Sequence, residues 1–197
     1  RLKRAWQSDE GGLYFTMVLR PDLPPVFSFR VGFLASLTLA RLLNQIFKIE
    51  VRVKWPNDLL VNERKICGML SELEAEADRV AFINMGIGLN VNNDPSPIEP
   101  TATSLKMVLG HNVSKKEILF RYLDLFETQM KSAAYDDVIK QWKQYTVTLN
   151  RHVRVVTTRD VFTGKAIDVD ETGALVLKCS DGSLKTIHYG DCFHQSH

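Results

Sequence analysis

Residues 26–47 restrict the fold more than any other part of the chain. The run follows Pro24-Pro25, is too long for a strand, and is apolar around most of its circumference. Its Leu and Ala content and the spacing of Leu34, Leu37 and Arg41 predict a largely buried helix. A helix apolar on most sides must be covered on most sides by the rest of the chain. Within it, residues 31–47 are interrupted by Arg41 and Asn44-Gln45, which makes the stretch too short and too polar for an expected membrane span. The opening Arg1-Leu2-Lys3-Arg4 lacks an early apolar run, so no secretory leader is expected.

The surrounding sequence supplies the covering elements. Residues 13–19 read as a β-branched and aromatic strand between Gly11-Gly12 and Arg20-Pro21. Residues 51–55 and 59–61 read as a strand pair, followed by a polar turn at Asn62-Glu63-Arg64-Lys65 and a strand over 66–73. Residues 80–85 form a further strand, with Gly86-Ile87-Gly88 expected as the permissive loop after it and 90–100 as an Asn- and Pro-rich loop. Ser114 and Glu117 have capping-box spacing, and Ile118, Leu119, Tyr122, Leu123, Phe126 and Met130 keep helical spacing behind them. A shorter helix is predicted over 137–145. After Asn150 the chain turns to short strands at 153–156, 164–169, 174–178 and 183–189, with a hairpin turn at Asp181-Gly182. This predicts a small β-barrel packed on the main domain, dividing the chain into residues 1–149 and 150–197.

Composition narrows the function. Of 197 residues, 45% are hydrophobic and 24% charged, enough apolar material for a real core. The 25 Lys and Arg nearly cancel the 23 Asp and Glu, so no nucleic-acid role is expected for a chain without a basic surplus. Cys67, Cys179 and Cys192 lack metal-ligand spacing and read as reduced thiols in a cytoplasmic protein. His194 and His197 at the end of the chain are expected to be disordered rather than metal-bound.

The most informative string is Lys54-Trp55-Pro56-Asn57-Asp58, followed by Arg64-Lys65 and then Gly68-Met69-Leu70-Ser71-Glu72. Pro56 breaks the strand and places Asn57 and Asp58 at a bend, where their side chains can face a site. Gly68 inside the next strand indicates a close approach to the backbone. Gly86-Ile87-Gly88 is not a dinucleotide fingerprint, because Val91 replaces the third glycine and a Pro-rich loop follows instead of a helix.

Taken whole, this string resembles the motif of biotin protein ligases. Arg1-Leu2-Lys3-Arg4-Ala5-Trp6 resembles the end of that family's arginine- and glycine-rich loop, and Gly86-Ile87-Gly88-Leu89-Asn90 its later glycine loop. The resemblance implies an α+β fold: a class II synthetase-like mixed β-sheet with packed helices, plus a C-terminal SH3-like β-barrel. It implies ATP-dependent ligation of biotin to a lysine of a biotin carboxyl carrier domain of a carboxylase, through biotinyl-5'-AMP, with Mg2+. Lys65 would be the catalytic cation, balancing the biotin carboxylate and the α-phosphate. Arg1 and Arg4 would hold phosphate under a loop packed by Trp6. Asn57, Asp58, Gly68, Gly86, Gly88 and Asn90 would line the biotin and adenylate site, with Asp58 a candidate Mg2+ contact. The family's catalytic domain begins before the position of Arg1, so the chain is expected to be N-terminally incomplete. Edge strands of the family can pair between subunits, which allows a homodimer. Two rivals stand beside it: a lipoate or octanoate ligase, which shares the architecture, and, from another class, a non-catalytic sensor of biotin or biotinyl-AMP. A third reading is a β-rich interaction module, in which these polar residues would have no reason to coexist.

Overall fold

A computed structural model describes residues 8–76, 78–132 and 137–195. Arg1, Arg4, Trp6 and His197 lie outside the described residues. The first sheet is built from β1 (Leu13–Leu19), β2 (Val51–Lys54), β3 (Asp58–Val61), β4 (Arg64–Glu76) and β5 (Arg79–Leu89), in the order β1-β5-β4-β3-β2. All four ladders are antiparallel, and the parallel component consists of isolated bridges at Val53–Thr146 and Lys65–Ala102.

Strand alternation divides the sheet into two chemically different faces. On β5, Ile83, Met85, Ile87 and Leu89 are buried, whereas Asn84, Gly86 and Gly88 point to the opposite side. The apolar side is covered by α1 (Phe29–Phe47), which follows a single 3₁₀ turn at Pro25–Phe27. Behind α1 lie α3 (Lys115–Met130) and α4 (Val138–Tyr145), and a short α2 (Leu105–Leu109) precedes them.

The polar interruptions of α1 are what join it to its neighbours. Trp142 Nε1 donates to Ser36 Oγ at 3.2 Å, and Thr38 Oγ1 donates to Gln129 Oε1 at 2.5 Å. Arg41 donates to Gln141 Oε1 at 2.9 Å, and Asn44 Oδ1 accepts from Val51 N at 2.6 Å. By length and composition Pro25–Phe47 does pass for a membrane span, contrary to the sequence expectation. It is instead packed as the core helix, with 61% of its most apolar window buried.

Two further expectations change. Gly86-Ile87-Gly88 is not a loop: β5 continues through it to Leu89, because β1 and β4 pair with it on both sides. The turn before β4 is only Asn62-Glu63, both at positive φ (49° and 62°), so Arg64 and Lys65 already belong to the strand. The Ser114 cap is present, accepting from Glu117 N at 3.2 Å, while the Glu117 carboxylate pairs with Arg121 at 2.8 Å.

The C-terminal sheet comprises β6 (His152–Val156), β7 (Val161–Val169), β8 (Leu175–Lys178), β9 (Leu184–Ile187) and β10 (Asp191–His194), ordered β10-β6-β7-β8-β9. The β8–β9 turn uses positive φ at Gly182 alone (81°), not at Asp181. Val153, Val155, Ala166, Leu175, Leu177 and Cys192 join the same continuous core as α1 and the first sheet. His194 belongs to β10 with its side chain only 13% exposed, so its expected disorder is overturned by its packing.

Candidate active site

The sheet face away from the helices carries a row that crosses all five strands. Register places Tyr14, Gly88, Gly68, Asp58 and Lys54 side by side. The two central positions have no side chains of their own, which leaves a floor of backbone between Tyr14 and Asp58; both glycines are buried, and the Lys65 side chain lies against Gly68. Those flanks stand three strand spacings apart, about 14 Å. Gly86 extends the floor along β5, beside Thr16 and Leu70. A Cβ at Gly86 would meet nothing nearer than 3.7 Å, so packing does not require glycine there. The open space above it is what a side chain would fill.

Lys65 reaches this floor through an irregularity. In a regular strand, residues three apart point to opposite faces, and Lys65 would turn away from Gly68. Here Leu59 pairs with Cys67 while Leu60 pairs with Lys65, so Ile66 is an extra residue in β4. The resulting bulge brings Lys65 to the side of Gly68 and Asp58, the kind of re-aiming for which bulges are used next to sites. Lys65 Nζ lies 2.6 Å from Asp58 Oδ1, and a Cβ on Gly68 would stand 3.0 Å from that same Nζ. The backbone of Lys65 is held on the other side, its N–H donating to Thr101 O at 3.1 Å and its carbonyl accepting from Thr103 N at 2.8 Å.

Asp58 is flanked by two cations, with Lys54 Nζ at 4.0 Å from Oδ2. It comes off the bend made by Trp55-Pro56, whose peptide is cis. Among the described residues there is no group of three His, Cys, Asp or Glu that would hold a metal. A lone carboxylate already neutralised by lysines does not build a protein-held Mg2+ site.

The other expected residues divide. Asn57 donates from its side chain to the Met69 carbonyl and accepts from Met69 N at 3.1 Å, so it stitches the bend to β4. Asn90 sits just past β5, its Oδ1 accepting from Asn93 Nδ2 at 3.0 Å, and holds the following loop. Tyr14 is the site neighbour that sequence reading missed. It was absorbed into a strand, and only register places it beside Gly88. Its ring lies back over Gly12, and its hydroxyl pKa is raised by burial and then by the Asp9 carboxylate, against a hydrogen bond with the Asp9 backbone that lowers it, so it stays protonated at neutral pH. Cys67, on the core face, has its thiol pKa pushed up by burial and offers no nucleophile.

Residues 1–90, which include the whole floor and Lys65, match the biotin/lipoate A/B protein ligase family, and residues 148–195 match the biotin protein ligase C terminal domain. The chain belongs to the biotin protein ligase family. It is 31% identical over 199 residues to the bifunctional ligase/repressor BirA of Bacillus subtilis, a match covering 97% of this chain. The chain spans 61% of that relative's length. It is 28% identical to the biotin–[acetyl-CoA-carboxylase] ligase of Paracoccus denitrificans, covering 90% of this chain and 78% of that one. The biotin protein ligase from Aquifex aeolicus, solved in complex with biotin and ATP, superposes with a TM-score of 0.82 at 28% identity. That superposition covers 100% of this chain and 84% of the Aquifex chain.

Proposed function

We propose that this chain carries the catalytic machinery for ATP-dependent ligation of biotin to a lysine of a carboxylase's biotin carboxyl carrier domain. The observation that carries the proposal is Lys65, held by Asp58 at the rim of a glycine floor. A biotin carboxylate oxygen attacks the α-phosphorus of ATP, and the bond to pyrophosphate breaks. The carrier lysine then attacks the carbonyl carbon of biotinyl-5'-AMP, AMP leaves, and the amine loses its proton. A carboxylate needs no activating triad, but it must approach an anionic phosphate. The chemistry therefore calls for a preorganised cation and an oriented ligand. Lys65 supplies the cation. Gly68, Gly86 and Gly88 admit the ligand against backbone, and Tyr14 and Asp58 bound it. Arg1, Arg4 and Trp6 complete the proposal as phosphate-binding and loop-packing residues.

The Aquifex relative's complex with biotin and ATP supports the choice of substrates, and the Paracoccus relative's name supports the carrier. Mg2+ enters as the ion that ATP phosphates bring with them, and no step is assigned to it. The proposal takes residues 1–149 as the ligand-binding unit and 150–197 as the SH3-like tail, acting in the cytoplasm. The outer strand β1 is where a second subunit would pair, since residues 146–148 of the same chain already bond to the edge of β2.

The test is biotin transfer to a purified carboxyl-carrier domain with ATP, using the protein in its full reading frame and its Lys65→Ala variant. The proposal expects biotin on the carrier lysine, with Lys65→Ala slower by about a hundred- to a thousandfold and still binding biotin. Biotin binding without adenylate formation would replace the enzyme by a sensor. Transfer of a lipoyl or octanoyl group in place of biotin would replace the substrate.

A further inference from the structure

At the junction of the two sheets, outside the glycine floor, stands a cluster that the proposed reaction does not use. Arg151, one residue before β6, makes a two-pronged contact with Glu63: Nη1 to Oε2 at 2.7 Å and Nη2 to Oε1 at 2.8 Å. His194 from β10 joins them, its Nδ1 3.7 Å from Glu63 Oε2 and 3.5 Å from Arg151 Nη1. The Arg151 backbone is fixed in turn, its carbonyl accepting from Ala166 N at 2.9 Å on β7. The guanidinium is thus presented by the tail as a rigid fork rather than as a loose surface charge.

Its partner occupies a position that needs holding. Asn62 and Glu63 form a two-residue hairpin with both residues in the left-handed region, where glycine normally occupies at least one place. Glu63 has no intrinsic reason to adopt a φ of 62°. Its carboxylate is gripped by residues of the tail, and Lys65 follows two residues later. The tail also touches the other side of the ion pair, because Lys54 lies 6.0 Å from the centre of the Phe193 ring and 4.0 Å from Asp58.

We infer that Arg151 is a positioning residue for Lys65: through Glu63 it fixes the turn that aims the lysine at Asp58 and the floor. The C-terminal sheet thereby contributes to adenylate formation without touching the ligand. The inference rests on the ligase reading, and its test separates the two.

Biotin-dependent pyrophosphate exchange is measured for the wild type, Glu63→Ala, Arg151→Ala, Arg151→Lys and the exchanged pair Glu63→Arg with Arg151→Glu. Each single alanine variant is expected to lower kcat about tenfold or more, leave KM for biotin within about twofold, and melt near the wild type. The exchanged pair recovers most of the loss. Arg151→Lys, which keeps the charge but loses the fork, falls in between, and carries the test if the alanine variants fail to fold. In parallel, the acylation rate of Lys65 by a soluble activated ester is read by peptide mass spectrometry, and it rises in Arg151→Ala as the lysine leaves Asp58. Folded variants with wild-type kcat, an unchanged Lys65 acylation rate, or an exchanged pair no better than the single variants would each overturn the clamp. An inactive wild-type protein would overturn the ligase reading instead, and the acylation rate would still decide the clamp.

Discussion

Gly68 has no room for a side chain while Lys65 keeps its place. A methyl group there would stand 3.0 Å from Nζ and 3.1 Å from Cε of the lysine, both on a flexible chain that can swing away. The Gly68→Ala variant should therefore fold, with a melting temperature within a few degrees of the wild type, because the displaced atoms are a half-exposed side-chain end. Its adenylation rate should fall severalfold, since Nζ must give by a few tenths of an ångström where the cation has to be positioned. A drop in melting temperature with unchanged activity would show that Gly68 serves packing instead. Asp58→Asn is the complementary change. The Lys65–Asp58 pair is 42% and 20% exposed, so losing it should alter stability by about 1 kcal/mol or less in urea unfolding. The lysine, freed from its anchor, should still lose activity. The motif made Lys65, Asp58 and Gly68 legible in the sequence, but not why they meet. A spacing of three puts residues on opposite faces of a strand, and only the extra residue Ile66 in β4 reverses that. Tyr14 was illegible for a related reason, since nothing in residues 13–19 reveals which strand they pair with.

Elements were legible where a pattern marks them: helical spacing in α1 and α3, and in β1 a run of β-branched and aromatic residues, although only Met17 of that strand is buried. They were missed where they are short and held by neighbours. Only Leu105 of α2 is buried, and Cys192 is the one buried residue in β10, too little for a pattern to show. The Gly86–Gly88 stretch looked like a loop because glycine disfavours strands, yet pairing on both sides holds it extended. Trp55, legible in the sequence as the end of a strand and part of the motif, proves to be a joint between the two sheets. It is 1% exposed, its Nε1 donates to the Gly173 carbonyl at 3.0 Å, and its backbone N–H donates to Thr148 Oγ1 at 2.9 Å. Trp55→Phe should leave the Gly173 carbonyl without its donor and a void beside it, costing about 2–3 kcal/mol by denaturant unfolding. The loss should appear in a single transition, because the tail shares one core with the first sheet. Two separated transitions, with only the later residues affected, would show that the joint is dispensable to the main unit.

At the scale of the whole molecule, the contact between the sheets contains two groups that add to its sensitivity to acid. His194 has its pKa lowered from 6.5, first by burial and then by the positive charges of Lys54 and Arg151, with Glu63 acting in the opposite direction. At neutral pH its ring is uncharged, and Glu63 is held by Arg151. Unfolding releases His194 into water, where it takes up a proton near pH 6.5 while the folded protein does not. The unfolded state then binds more protons, so stability falls as pH drops below 6.5 and continues to fall until the folded histidine also protonates. Glu63 acts with the same sign in a lower window. Its hydrogen bonds from Arg151 are the largest of several effects that lower its pKa from 4.5, so the stability it contributes is present above pH 4.5 and lost as pH falls through its folded value. Two single variants should separate the windows. Between about pH 7.5 and about pH 5.5, the melting temperature of His194→Gln should decline less than that of the wild type. Arg151→Ala should flatten the part below about pH 4.5, by letting Glu63 titrate near its ordinary value. If the two melting profiles run parallel from about pH 7.5 downward, the acid response originates elsewhere in the molecule.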